Sequence, residues 1–511
     1  MSATPATTLW FARHELRLAW RDWLAMMTGG RRRRRIGLVI GLAIAAVVLH
    51  LLAYGLALPW LRAGIVFDKV TLLVVSGAGF TIFTVMLSQA IEAVTRVYYA
   101  RSDLDLILAS PASSRRLFAV RTGGVWLSVS ALSGLLAMPL INVLAVFEGP
   151  RWLAGYGVVA AMGALATALA LAITVLLFRL IGPRMTRLIA QIVAAVVGAG
   201  FVILIQGAGI LYYGSYSRFT LFEAPQVLAA VPEASSWVWL PARAVMGDWP
   251  SLLLLLLVGA ACLAAAIGFS AASYGRLALS TTGLSHVHNR RAPARRAFPA
   301  GSQRQALRRK EWRLLLRDPW LVSQTLMQLL YLIPPALLLW INFGEGNSAL
   351  IIVVPVLVMA AGQLAGGLAW LAISGEDAHD LVTTAPLTPA TILRAKVEAV
   401  LIAVGAVMTP LLLLLALSAW PAALAAAVCA AAAASASTAI QLWFRMPQRR
   451  SMFRRRQVAS RAATLCEALS SIMWAGTGAL AAVGSLLAIG PAVLALLTLA
   501  LARFLSPRHN R

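Results

Sequence analysis

The chain consists of long, continuous apolar runs separated by short segments dense in arginine. Twelve runs are long enough to cross a bilayer, which takes about 20 helical residues at 1.5 Å rise each. In the first half they cover roughly 36–58, 70–94, 123–147, 152–178, 188–211 and 251–275. In the second half they cover roughly 320–341, 349–373, 395–419, 421–444, 464–488 and 490–505. Apolar and polar residues do not alternate within them, which excludes an outer-membrane barrel. The pattern predicts an all-α polytopic membrane protein with twelve transmembrane helices.

Composition agrees. Of 511 residues, 60% are apolar and 12% charged, and mean hydropathy is +0.82. A soluble core cannot absorb that much apolar surface. Lys+Arg is 44 against 18 Asp+Glu, a net charge of +26. In a membrane protein this excess reads as positive loops held inside rather than as a nucleic-acid surface. With the N-terminus inside and strict alternation, all but Arg62, Lys69, Arg151, Arg218 and Arg243 of the basic residues fall in inside segments. Both termini are therefore expected in the cytoplasm. Arg31–Arg35 precede an apolar run too long for a signal peptide, and no cleavage site follows, so the first helix is expected to be uncleaved. Cys262, Cys429 and Cys466 show no metal spacing and read as small packing residues.

The chain also repeats itself. His14-Glu15-Leu16-Arg17-Leu18-Ala19-Trp20-Arg21-Asp22, before run 1, is echoed by Lys310-Glu311-Trp312-Arg313-Leu314-Leu315-Leu316-Arg317-Asp318, before run 7. Asp105-Leu106, ending in Pro111 after run 2, is echoed by Asp380-Leu381, ending in Pro386 after run 8. Arg121 then matches Lys396, and Phe178-Arg179 matches Phe444-Arg445. Runs 3 and 9 carry Pro139 and Pro410, where bends are expected. The shared order points to two parallel six-helix halves, 1–281 and 307–511, joined by a basic linker over 282–306.

The segment before each first run mixes arginine with tryptophan. Glu15, Arg17, Arg21, Asp22 and their counterparts Glu311, Arg313, Arg317 and Asp318 form an amphipathic helix lying in the membrane interface, near anionic lipid. A plain anchor would account for it. The loops at Asp105 and Asp380 are acidic, apolar and closed by proline. A partner surface explains their leucines, and a hairpin packed on its own bundle is the other reading. In run 2, Thr81, Thr84, Ser88 and Glu92 share a helix face, with Gln89 beside them. They read as pathway lining or as helix–helix contacts. Glu92, Glu398 and Glu467 stand near helix ends, where water would reach them, and are weak proton-relay candidates. His50 reads as a satisfied packing residue. The alanine-rich stretch 422–436 suits close packing.

Lys69, Lys310 and Lys396 are the chain's lysines, and none completes a P-loop. No hydrolase or metalloprotease motif is present. A transporter of this shape runs on an ion gradient or borrows an ATPase. Here the motifs add a resemblance. The K-E-W-x-x-x-x-R-D-P segment at Lys310–Pro319 resembles the elbow helix of ATP-binding-cassette exporter permeases of the type 2 export class. The D-L-x-x-x-x-P loops at Asp105 and Asp380 are similar to that family's coupling-helix segment. Pro232 and Trp239-Leu240-Pro241-Ala242-Arg243-Ala244 resemble its extracellular stretch. The chain looks like two such units fused, although the connection between runs 11 and 12 is much shorter than that between runs 5 and 6.

The resemblance implies a non-enzymatic exporter permease in a bacterial inner membrane. Asp105, Leu106, Pro111, Asp380, Leu381 and Pro386 would dock cytosolic P-loop ATPase subunits, two per chain. ATP and Mg would be bound there, with no cofactor in this chain and no nucleic-acid partner. The alternatives are a gradient-driven transporter or lipid flippase, and a membrane enzyme acting on lipid-linked substrates.

Overall fold

The computed structural model describes residues 8–28, 34–99, 114–213, 225–282, 302–317, 330, 333, 337, 350–374, 384, 386–444 and 461–506. Among these residues there are helices and short 3-10 turns and no strand. Ten helices are long and apolar enough to cross a membrane, making this an all-α, multi-pass membrane protein. They coincide with ten of the twelve apolar runs. Of the other two, the run at 188–211 contains a shorter apolar helix at Leu188–Phe201, and most of the run at 320–341 lies outside the described residues.

The chain divides into two compact units. One comprises 1–202 and 217–288, the other 203–216 and 289–511. The first contains α1 (Thr8–Thr28), α2 (Arg34–Ala63), α3 (Lys69–Tyr99) and α4 (Ser114–Phe147). α5 (Ala154–Tyr213) starts in it and is broken at Gly182, whose φ of 71° is left-handed and suits glycine alone. After α5 come α6 (Pro225–Ala230), α7 (Leu240–Val245) and α8 (Trp249–Thr282). Buried Met86, Ile91, Tyr98, Phe118, Leu171 and Phe178 form the core among α3, α4 and α5. α2 turns Ile44, Val47, Leu51 and Leu56 outward, as a lipid-facing helix does.

A second cluster in this unit gathers Ala57, Leu72, Leu144, Trp152, Trp239 and Met246 where α2 ends and α3 begins. Trp239 is buried, and its indole N–H donates to the carbonyls of Pro232 (3.3 Å) and Glu233 (3.1 Å). The Arg243 guanidinium donates to the carbonyl of Ala234. Lys69 pairs with Glu233 at 2.7 Å. The Pro232…Trp239…Arg243 pattern is thus a pinned loop, its carbonyls satisfied by two long donors.

The second unit contains α9 (Gln303–Arg317), α10 (Leu350–Ser374), α11 (Pro389–Ser418), α12 (Trp420–Phe444), α13 (Arg461–Ala482) and α14 (Ile489–Leu505). α10 is its axis. Within Val353–Ile373, 72% of residues are buried, against 11% in Leu486–Phe504 of the last helix. α10 is accordingly apolar all round. The alanines of α12 let it approach closely, with Ala422, Ala426, Ala430, Ala433 and Ala434 all buried. Pro139 and Pro410 each stay within a continuous helix, the first buried and the second exposed. The α13–α14 connection is a turn at Gly484 and one 3-10 turn at Leu486–Ala488, with nothing comparable to α6 and α7.

α10, α12 and α13 meet through polar and small residues spaced one turn apart. Gly362 and Gly366 on α10 face Ser471 and Glu467 on α13, and a Cβ at Gly366 would collide with the Glu467 carboxylate. Replacing Gly366 by alanine is therefore expected to lower the thermal midpoint in detergent, at about 1–3 kcal/mol for an overpacked site. Gly405→Ala on α11, where a Cβ meets nothing within 4 Å, is the control and is expected to lose no stability.

Candidate functional site

The most strongly built polar site lies where α9 meets α10 and α11. Thr388 caps α11, its side chain accepting from the Thr391 amide, and Pro389 occupies the first helical turn. The helix then presents Lys396 on one side and Glu398 on the other. Glu311 of α9 is buried, with 0% of its side chain exposed. The Lys396 ammonium lies 3.1 Å from Glu311 Oε1 and 3.2 Å from Oε2. Lys310 reaches the same Oε1 at 3.1 Å. Lys396 also donates to the carbonyl of Ala372. That carbonyl belongs to α10, so the ammonium touches three helices. Beside this buried pair, Arg308 and Glu398 form a half-exposed one at 2.6 Å.

The first unit has charges at the recurring positions. α1 packs on α4 as α9 packs on α11, while the other neighbour differs, α2 for α1 and α10 for α9. Glu15 is half-buried in α1, and Arg121 in α4 is 7% exposed. Ala12 and Gly123 stand where the repeat would place Arg308 and Glu398, so the outer pair has no counterpart.

The other amphipathic-helix residues divide by face. Arg17 and Arg21 are exposed, with Trp10 and Trp20, and Arg313 is exposed on α9. Asp22 and Arg317 belong to α1 and α9. Glu311 differs from the interfacial position expected for it, because its side chain turns into the unit. Asp105, Leu106, Pro111, Asp380, Leu381 and Asp318 lie outside the described residues. Pro386 is exposed just before the α11 cap.

On α3, Thr81 donates to the Gly77 carbonyl at 2.8 Å and Thr84 to that of Thr81 at 2.9 Å. Thr84 is buried, whereas Ser88, Gln89 and Glu92 are half-buried. Ser88 fits against Gly198 of α5, where a Cβ would come within 2.9 Å of its hydroxyl. Two of the five polar groups on this face thus bond their own helix and a third packs against a neighbour.

Two polar groupings went unread in the sequence. Gln441 of α12 donates to the Glu467 carboxylate, and Ser437 and Ser471 lie 3.5 Å apart one turn away. Glu467 is 7% exposed, which corrects the expectation that water reaches it. The glycine that makes room for it lies on another helix. In the first unit, His50 Nδ1 contacts the Ala46 carbonyl at 2.7 Å and its Nε2 lies 3.2 Å from Asn142 Nδ2. Tyr156 donates to Asn142 Oδ1 at 2.7 Å. With His50 protonated at Nδ1, its Nε2 accepts from the Asn142 amide, and Asn142 Oδ1 accepts from Tyr156. Among the described residues no group of His, Cys, Asp and Glu is arranged to hold a metal ion.

Removing Lys396 leaves the buried Glu311 with Lys310 alone. Lys396→Ala is expected to cost on the order of 3 kcal/mol in unfolding of the detergent-solubilised chain, the scale for breaking a buried pair. Lys69→Ala, which breaks the exposed pair with Glu233, is expected to change stability by less than about 1 kcal/mol. No family model, no curated protein and no solved structure matches this chain.

Proposed function

We propose that the chain is the membrane-spanning permease of an ATP-binding-cassette exporter, with twelve spans in two six-helix halves, both termini in the cytoplasm, and separate ATPase subunits as partners. The observation that carries this reading is a recurrence. An amphipathic helix packs on the helix that follows each Asp-Leu…Pro loop, and that helix holds a basic residue, buried Arg121 or half-buried Lys396, at the recurring position. The two loops would bind the ATPases. The exposed arginines and tryptophans of α1 would hold its outer face against anionic headgroups. The pinned loop at 232–243 would lie on the extracytoplasmic side. Arg317 and Asp318 would end the second amphipathic helix at the membrane, Asp22 would stand within the first, which runs on to Thr28, and Pro111 and Pro386 would end the docking loops.

A gradient-driven transporter is the second reading. It is favoured by one observation, the buried carboxylate of Glu467 held by Gln441.

Purification of the tagged chain from its native membrane in mild detergent separates the two. Two copies of a P-loop ATPase per chain support the exporter. A chain without ATPase that moves substrate in liposomes under a proton or sodium gradient sinks it. Asp105→Lys combined with Asp380→Lys is expected to weaken ATPase binding about tenfold or more, a change of about 1.4 kcal/mol, while membrane insertion stays intact. Tags at both termini are expected to react with impermeant reagents from the cytoplasmic side alone, and extracytoplasmic labelling of either would refute the even number of spans.

A further inference from the structure

Lys396 stands at a junction of three helices. It belongs to α11, donates to the Glu311 carboxylate of α9, and donates to the carbonyl of Ala372 on α10. The described part of α10 runs to Ser374 and α11 begins at Pro389, and the Asp380 segment, read in the sequence as a loop, lies between them along the chain. One ammonium therefore fastens together both helices that root this loop, and ties them to α9.

Apolar packing alone would hold a helix in this place at lower cost, since two charges must be stripped of water to make the pair. What the pair adds is direction. An ammonium shared between a carboxylate and a helix-terminal carbonyl resists separation of any of the three helices. An apolar contact lets them slide. The neighbouring pair, Arg308 with Glu398, adds a second tie between α9 and α11. The recurring positions Glu15 and Arg121 have the same charges, while the outer pair does not recur.

We propose that Glu311 and Lys396 are positioning residues for energy coupling: they carry displacement at the roots of the Asp380 loop into the amphipathic helix α9. This inference rests on the reading of that loop as an ATPase-docking element.

The test uses the full chain with its co-purified ATPase in lipid nanodiscs, and reads amide hydrogen exchange with and without a non-hydrolysable ATP analogue. In the wild type, the nucleotide is expected to change exchange at residues 386–400 and at 303–317 together. In Lys396→Met the change at 303–317 is expected to be lost while the ATPase remains bound and residues 386–400 still respond. Lys396→Arg, which restores the residue type found at position 121, is expected to recover the response at 303–317. If Lys396→Met fails to fold, Glu311→Gln with Lys396→Met removes both charges at once and gives the same readout without a stranded buried carboxylate.

A nucleotide response at 303–317 that survives in the folded, ATPase-bound variant overturns the proposal, as does a failure of Lys396→Arg to recover it. Absence of any ATPase from the wild-type chain overturns the docking reading and this inference with it, and that outcome is visible before any variant is made.

Discussion

The carboxylate of Glu311 has no exposed surface, so its charge must be met from inside the protein. Lys396 meets it from another helix, and the ammonium also donates to the carbonyl of Ala372 on α10. This requirement fixes more than a pair. It sets the rotation of α9 about its axis, because Glu311 must face inward while Arg313 stays exposed. It also sets where α11 stands along α10, because Lys396 must reach the carbonyl of Ala372. The buried leucine Leu315, one turn beyond Glu311, then falls into the second unit's apolar core.

Away from that junction, polar groups hold helices together at lower cost. Lipid is as apolar as leucine, so helices in a membrane gain little from burying aliphatic surface against each other. Close approach and hydrogen bonding take its place. Gly362 and Gly366 receive Ser471 and Glu467 in the second unit, and Gly198 receives Ser88 in the first. Thr81, Thr95, Thr167, Thr174 and Thr438 return their hydroxyls to carbonyls of their own helices and demand no partner elsewhere. The difference matters for reading function. A threonine that bonds its own turn is neutral toward its neighbour, whereas Glu467 is tolerated only because Gln441 and a glycine on a third helix accommodate it.

The positions of the long helices were legible, since continuous apolarity is the strongest signal a membrane protein carries. Helix ends were less so. α4 begins at Ser114 and α11 at Pro389, each several residues before its apolar run. Hydropathy marks the stretch matched to lipid, and a helix continues past it wherever its polar end is capped or paired. Arg121 lies in those extra turns and Lys396 at the very edge of its apolar run, so each helix carries at its polar end a charge that apolarity does not mark. Recurrence did mark it: Glu15 with Glu311, and Arg121 with Lys396, were visible as repeated charges. Their burial was not, because it depends on how the helices pack. Glu467 was misjudged for the same reason. Its place near a helix end implies water, but Gly366, a residue on another helix, decides otherwise.

The recurring segments also show where the two parts of the sequence have been free to change. The first unit builds a pinned loop from Trp239, Arg243 and Glu233, while the second closes α13 to α14 through a single 3-10 turn. The second unit has a carboxylate–amide contact in its core, where the first has Ser130 against Gly163 and Ser88 against Gly198. A buried charge is different, because losing one partner strands the other at a cost that packing cannot recover. Two residues must then change together or not at all. That coupling gives a physical reason for Glu311 and Lys396 to be kept together, a constraint that the loops, caps and core contacts around them do not share.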